Sequence, residues 1–148
     1  MPITIHEATE RLKASGVRMT TQRQLLLEAL YQKLSHPSAE QVYELLYAEH
    51  PKVVSLTTVY NNIRALKELG LLREFYIHHS GIARYDTHVE PHHHLICVHC
   101  GTIQDYTPAA PLQVEQPDGF STERAYVELF GTCEDCREAN RQGRGVAV

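Results

Sequence analysis

Four cysteines stand as two C-x-x-C pairs, Cys97-Val-His-Cys100 and Cys133-Glu-Asp-Cys136, and three consecutive histidines, His92-His93-His94, precede the first pair. Each x-x spacer lets both sulfurs of a pair face one ion, and two such pairs separated by a loop enclose a tetrahedral zinc. A segment too small to bury a large core can then be held together by metal. Disulfides fit this chain poorly. Its first residues, MPITIHEATERLK, are charged and lack the apolar stretch of a secretory signal. A redox C-x-x-C needs one reactive pair in a βαβ setting and leaves the second pair without a role. A structural zinc on Cys97, Cys100, Cys133 and Cys136 is therefore the first expectation.

The 148 residues fit one medium domain or two small ones. No apolar run approaches the ~20 residues that cross a bilayer. The net charge of −4 does not advertise nucleic-acid binding, but it is unevenly spread. Residues 1–86 carry ten Lys/Arg against nine Asp/Glu, and residues 87–148 carry four against nine. The first half is thus the only candidate for a phosphate-facing surface. Of the ten histidines, six fall between His78 and His94. The polar tail Arg141-Gln-Gly-Arg144-Gly reads as mobile.

Along the first half, apolar periodicity and caps predict four short helices and a hairpin. Thr4 with Glu7 starts the first, which Ser15-Gly16 ends. Thr20 or Thr21 caps the second, through Leu25, Leu26, Ala29 and Leu30. His36-Pro37-Ser38 opens the third, with Val42, Leu45 and Leu46 inward. Ser55 caps the fourth, where Leu56, Val59, Ile63 and Leu66 form the buried stripe and Gly70 stops it. Leu71–Ile77 and Ile82–Asp86 read as strands joined through His78-His79-Ser80-Gly81.

Helices followed by a hairpin are the layout of a winged helix-turn-helix, whose last helix enters the major groove. The outer face of the fourth helix carries Thr57, Thr58, Tyr60, Asn61, Arg64 and Lys67. Thr57 and Thr58 can hold phosphate at the helix N-terminus, and Tyr60, Asn61 and Arg64 can hydrogen-bond base edges or phosphates. An ordinary solvated polar face has the same periodicity, which does not decide between the two. In the second half, residues 92–98, Thr102–Tyr106 and Tyr126–Phe130 read as strands, with His92 and His94 on one face and His93 on the other. Pro108-Ala-Ala-Pro111 and Pro117-Asp-Gly leave room for a turn or two of helix. The expected fold class is α+β, with a winged-helix DNA-binding domain over residues 1–86, a hinge at 87–91 and a small zinc-stapled α/β domain over 92–148.

The ordered set Arg18-Met-Thr-Thr-Gln22-Arg23, His36-Pro37-Ser-Ala, Thr58-Val-Tyr60-Asn61-Asn62, His92-x-His94-Leu-Ile-Cys97-x-x-Cys100-Gly101 and Cys133-x-x-Cys136 resembles the ferric-uptake-regulator (Fur) family. The resemblance runs from about residue 8 to 137. It implies a cytoplasmic homodimeric repressor that reads a palindromic operator in double-stranded DNA once a regulatory metal is bound, not an enzyme, and it adds Arg18, Gln22 and Arg23 to the DNA-facing residues. Asp105, where iron-uptake regulators usually carry glutamate, and the Tyr60-Asn61-Asn62 run are similar to the peroxide-sensing branch.

By that resemblance the regulatory site is His36, Asp86, His92, His94 and Asp105. Three imidazoles and two carboxylates form a borderline-hard N/O set suited to Fe²⁺ or Mn²⁺, the thiols being committed to zinc. One ion on all five would clamp the two halves and fix the spacing of the recognition helices in a dimer. With Fe²⁺, hydrogen peroxide would oxidise His36 or His92 to 2-oxo-histidine and release the operator. The alternatives are a metal-uptake regulator of the same family without peroxide sensing, a zinc-ribbon interaction module, and a small metallohydrolase built on His92, His94 and an aspartate. Residues 123–126, Glu-Arg-Ala-Tyr, offer no histidine to partner His93 in a further site, and the extra histidines His78, His79 and His88 read as wing and hinge surface.

Overall fold

The computed structural model describes residues 1–77 and 80–143 and divides into two compact units, Met1–Glu90 and Pro91–Val148. The boundary falls inside the 87–91 segment assigned to the hinge. His78 and His79, which the sequence assigns to the strand connection, and Arg144 of the polar tail lie outside the described residues.

The N-terminal unit is built from helices α1 (Ile5–Ala14), α2 (Thr21–Glu28), α3 (Ala39–Glu49) and α4 (Leu56–Glu68), followed by strands β1 (Arg73–Tyr76) and β2 (Ala83–Asp86). Side chains that satisfy orphan amides define the helix starts. Thr4 accepts from the Glu7 amide, Thr20 from Arg23, Ser38 from Gln41 and Ser55 from Thr58. The complete capping box is at Ser38, where the Gln41 side chain also accepts from the Ser38 amide. At the end of α4 the Gly70 amide donates to Lys67 O and the Leu71 amide to Leu66 O, with Gly70 at φ +67°. This C-cap requires a left-handed residue and is why glycine stands there. Leu71 and Leu72 then drop into the core, so the first strand starts at Arg73 rather than at Leu71.

Helix α2 does not stop at Glu28. It continues as one π-helical turn over Ala29–Lys33, in which the Leu34 amide reaches back to Ala29 O. The core is one contiguous cluster in which Leu26, Leu27, Leu30, Val42, Leu46, Val59, Ile63, Leu66 and Leu71 are fully buried. Strands β1 and β2 pair antiparallel, Arg73 opposite Asp86.

The C-terminal unit has strands β3 (His93–Cys97), β4 (Ile103–Tyr106) and β5 (Glu128–Gly131) and helix α5 (Glu134–Arg141). Strand β3 lies in the middle, antiparallel to β4 and parallel to β5. Two expectations need correction. Residues 107–127 contain no helical turn, because Pro108, Pro111 and Pro117 remove donors at short intervals. Helix α5, a segment to which the sequence pattern assigns no element, begins at the second cysteine pair with Cys133 as N-cap and Glu134 and Asp135 in its first turn.

Candidate metal centres and nucleic-acid interface

The four cysteines meet at one end of the C-terminal sheet. Cys97 ends β3, and the chain then turns through Gly101 (φ +77°), whose amide donates to Cys97 O, while the Cys97 amide donates to Thr102 O. Cys133 and Cys136 sit at the start of α5, and the Cys133 amide points at Cys97 Sγ at 3.3 Å. All four sulfurs lie within 4.8 Å of one another. The Cys100–Cys133 Sγ–Sγ distance is 3.7 Å. A disulfide needs about 2.05 Å, whereas sulfurs at the corners of a tetrahedron with ~2.3 Å Zn–S bonds stand about 3.8 Å apart. The spacing fits zinc.

Electrostatics point the same way. Backbone amides at Cys100 and Cys133 pull the Cys97 thiol down to about 5. The neighbouring Cys133 thiol, and then burial, push Cys136 up to about 12. The first thiolate forms readily and the last resists, because negative charge accumulates among four crowded sulfurs. A divalent cation removes that resistance.

The five N/O residues assigned to the regulatory site fall into two sets, one in each unit. In the N-terminal unit, His36 is held in the left-handed region at φ +49°, a conformation that a non-glycine residue adopts at some energetic cost. Its carbonyl accepts from Arg84 of β2, and the Pro37 carbonyl accepts from the Tyr85 amide, so the turn is tied to the hairpin. The His36 ring packs edge-on against Phe75, with centroids 5.9 Å apart. Its Nδ1 lies 2.8 Å from Ser35 Oγ, and its Nε2 faces Asp86 Oδ2 at 3.3 Å. The other Asp86 oxygen accepts from the His88 amide. One imidazole nitrogen and one carboxylate oxygen are thus aimed at each other in a buried setting.

In the C-terminal unit, His94 on β3 stands opposite Asp105 on β4. Asp105 Oδ1 is 3.1 Å from His92 Nε2 and 3.6 Å from His94 Nε2, and the two rings lie 4.6 Å apart. His93 points the other way and accepts from the Val127 amide at 2.9 Å. Strand alternation therefore separates the two histidines that share a carboxylate from the one that braces β5. Each convergent set of imidazole nitrogen and carboxylate oxygen suits a borderline-hard divalent ion.

The residues assigned to DNA lie on α2, α4 and the segment before α2. Thr57, Tyr60, Asn61 and Arg64 are exposed on α4. Thr58 is partly used in the cap, with its hydroxyl 2.9 Å from Ser55 Oγ. Gln22 and Arg23 carry structural bonds: Gln22 donates to Val53 O, and Arg23 donates to Arg18 O and to Asn62 Oδ1 on α4. Arg23 thus braces α4, and the Arg18 side chain is exposed. The sequence reading missed Glu40, whose carboxylate accepts the Tyr60 hydroxyl, and Glu74, which pairs with Lys67. Contacts across 20 and 7 residues leave no periodic trace. Within the described residues no helix is long and apolar enough to cross a membrane.

A sequence model of the ferric uptake regulator family matches residues 14–129. The peroxide operon regulator of Bacillus subtilis (strain 168) is 37% identical over 136 residues, which span 89% of this chain and 92% of that protein. The peroxide-responsive repressor PerR of Staphylococcus epidermidis is 33% identical over 138 residues, 90% of this chain and 91% of its own. Among solved structures, a zinc-bound manganese uptake regulator aligns with a TM-score of 0.64 at 28% identity, covering 88% of this chain and 99% of that one. PerR from Streptococcus pyogenes aligns at 0.52 and 28%, covering 92% and 95%. The chain belongs to the ferric uptake regulator family and is a metal-dependent, DNA-binding repressor rather than an enzyme.

Proposed function

We propose that this protein is a cytoplasmic, homodimeric, peroxide-responsive repressor that grips a palindromic operator while one Fe²⁺ or Mn²⁺ is held by His36, Asp86, His92, His94 and Asp105. The observation that carries this reading is the presence of an incomplete ligand set in each unit. His36 faces Asp86, and His92 and His94 face Asp105. Two or three protein ligands leave such an ion under-coordinated, and five approach its preferred number. An ion shared by both sets would fix the angle between the reading unit and the pairing unit. The two recognition helices of a dimer would then match half-sites about 34 Å apart per turn of DNA.

Thr57, Thr58 and Arg18 meet phosphate, Tyr60, Asn61 and Arg64 reach base edges, and Gln22 and Arg23 hold α4 in place. The exposed Leu129 and Phe130 on edge strand β5 supply apolar surface for the second subunit. Zinc on the four cysteines keeps that unit folded.

Bound Fe²⁺ would open the O–O bond of hydrogen peroxide beside its ligands; one oxygen atom would enter an imidazole, the other would leave as water, and the ring itself would be the net reductant. His36 and His92 would be the imidazoles that take up oxygen, and an oxidised ring is a poorer donor. The relatives named for peroxide response motivate this assignment, and Asp105 is its sequence mark. The test is mass spectrometry of the Fe²⁺-loaded protein after peroxide, with a Mn²⁺-loaded control. A gain of about 16 Da, one oxygen atom, on the peptides containing His36 or His92, with loss of operator binding, is expected only with iron. Absence of that modification, with the operator still held after peroxide, would sink the sensing idea and leave a metal-uptake regulator of the same family.

A further inference from the structure

A groove of about 640 Å³ in the N-terminal unit runs between α4, the start of α3 and the β1–β2 hairpin, and Glu40, Tyr60, Arg64, Lys67 and Glu74 line it. Tyr60, Arg64 and Lys67 are spaced i, i+4 and i+7, so one face of the recognition helix looks into it. The outer two are each engaged by an acid from another element. The Tyr60 hydroxyl donates to Glu40 of α3, and the Lys67 ammonium pairs with Glu74 of β1. Arg64, between them, makes no hydrogen bond or ion pair among the described residues. Of the two cations on this face, only Lys67 has an acidic partner among the described residues, and the charge of Arg64 is left uncompensated.

The Tyr60–Glu40 contact changes what the tyrosine can read. A phenol has one proton to donate and lone pairs with which to accept. Phosphate oxygens offer only lone pairs and so require a donor. With its proton on Glu40, Tyr60 has only acceptor capacity left, and the adjacent carboxylate repels phosphate. The side chain is still 40% exposed, so its oxygen can be reached. In the major groove the donors that could meet it are the exocyclic amino groups of adenine (N6) and cytosine (N4).

We infer that Glu40 is a specificity-determining residue: by holding the Tyr60 proton it turns that tyrosine from a phosphate donor into an acceptor that reads the amino group of adenine or cytosine. The inference rests on the DNA-binding repressor reading above and deepens it. The hydrogen bond from Tyr60 holds the Glu40 carboxyl below its ordinary range, and the same bond raises the tyrosine above its own. The pair therefore stays as neutral phenol and carboxylate near neutral pH.

The test uses the full chain loaded with Mn²⁺ and a pool of random-sequence duplexes, from which each variant selects its preferred DNA. Wild-type protein should prefer adenine or cytosine at one position of each half-site. Glu40→Ala frees the hydroxyl. It should relax that preference by about fivefold or more, the usual size of a single lost base contact, and tighten binding to a scrambled duplex. Glu40→Gln keeps an acceptor oxygen for the Tyr60 proton but not the charge. It should keep the base preference while binding all duplexes somewhat more tightly, which separates proton commitment from repulsion and remains informative if the alanine variant loosens α3. Tyr60→Phe should relax the same position. If Glu40→Ala leaves the preference intact, or Glu40→Gln relaxes it as far as alanine does, the inference is overturned. Relaxation by Glu40→Ala but not by Tyr60→Phe would mean that the carboxylate reads the base itself, which also overturns it. Wild-type protein that selects no sequence at all would instead sink the repressor reading.

Discussion

In the N-terminal unit, side chains from every helix close on one another until Leu26, Leu27, Ile63, Leu66 and Leu71 are lost to solvent. In the C-terminal unit only Ile96, Cys97, Ile103 and Cys136 are buried apolar side chains among the described residues. Two of those four are thiols of the proposed zinc site. Phe130, Leu129, Val98 and Phe120 are about half exposed or more. The first unit is ordered by hydrophobic burial, at about 25 cal/mol per Å² of apolar surface. The second lacks the area to do the same, and it exchanges apolar burial for metal–sulfur bonds and a partner subunit. The same chain thus answers two threats differently. Core truncation endangers one unit and chelation the other.

The largest expected effect tests that division directly. Cys97→Ser, or a strong zinc chelator, should remove on the order of 10 kcal/mol from the C-terminal unit. Hydrogen exchange should then show lost protection across β3, β4 and β5 and loss of the dimer, while α2 to α4 keep theirs. Equal loss in both units would break the comparison. Leu66→Ala is the converse experiment. Removing a 1%-exposed side chain should cost about 2–5 kcal/mol in denaturant unfolding of the N-terminal unit, with zinc content by elemental analysis unchanged.

A smaller effect is expected where metal couples function to fold. His36→Ala and Asp105→Ala should each leave a zinc-loaded dimer whose operator binding no longer rises with Mn²⁺. The loss should be about 5–150-fold, the range of ~1–3 kcal/mol of coupling. Unfolding or monomerisation of these variants would put the two residues among the structural ones.

Alkaline pH sharpens the contrast from the N-terminal side. Tyr31 donates to Leu71 O at 2.6 Å, and burial raises its pKa well above the ordinary 10. The folded state therefore keeps a proton that the unfolded chain releases. The stabilisation is fully present below pH 10 and is lost as pH rises above it toward the folded value. Tyr31→Phe should cost about 0.5–1.5 kcal/mol at pH 7, yet its thermal midpoint should fall less steeply above pH 10 than that of wild type. Parallel curves would show that the hydroxyl does not carry the dependence. The smallest change is Ser55→Ala, which removes the α4 cap at about 1 kcal/mol. It should lower the midpoint of the N-terminal transition and leave the zinc-dependent one where it is.

Much of this was legible in the order of residues because local rules have short range. Caps at Thr4, Thr20, Ser38 and Ser55, the left-handed stop at Gly70 and the alternation that separates His93 from His92 and His94 all act within a few positions. Those positions carry their own signatures. The two C-x-x-C pairs are equally local, and the distance between thiols that makes them one site follows from zinc chemistry. Helix α5 escaped because a short polar helix capped by a cysteine has no apolar stripe to reveal it. The shortened first strand escaped because Leu71 serves the core before it can serve the sheet.

By itself, then, the sequence determined which segments coil, where they stop and which side chains can bind metal, since propensity, capping and ligand chemistry belong to individual residues and their near neighbours. Tertiary structure alone decided that Glu40 takes the Tyr60 proton, that Arg23 braces Asn62 rather than standing free, and that the His36 turn is tied to Arg84. Each of those bonds spans 20 residues or more. A side chain's partner at that range is set by how apolar faces pack, which no neighbouring residue records.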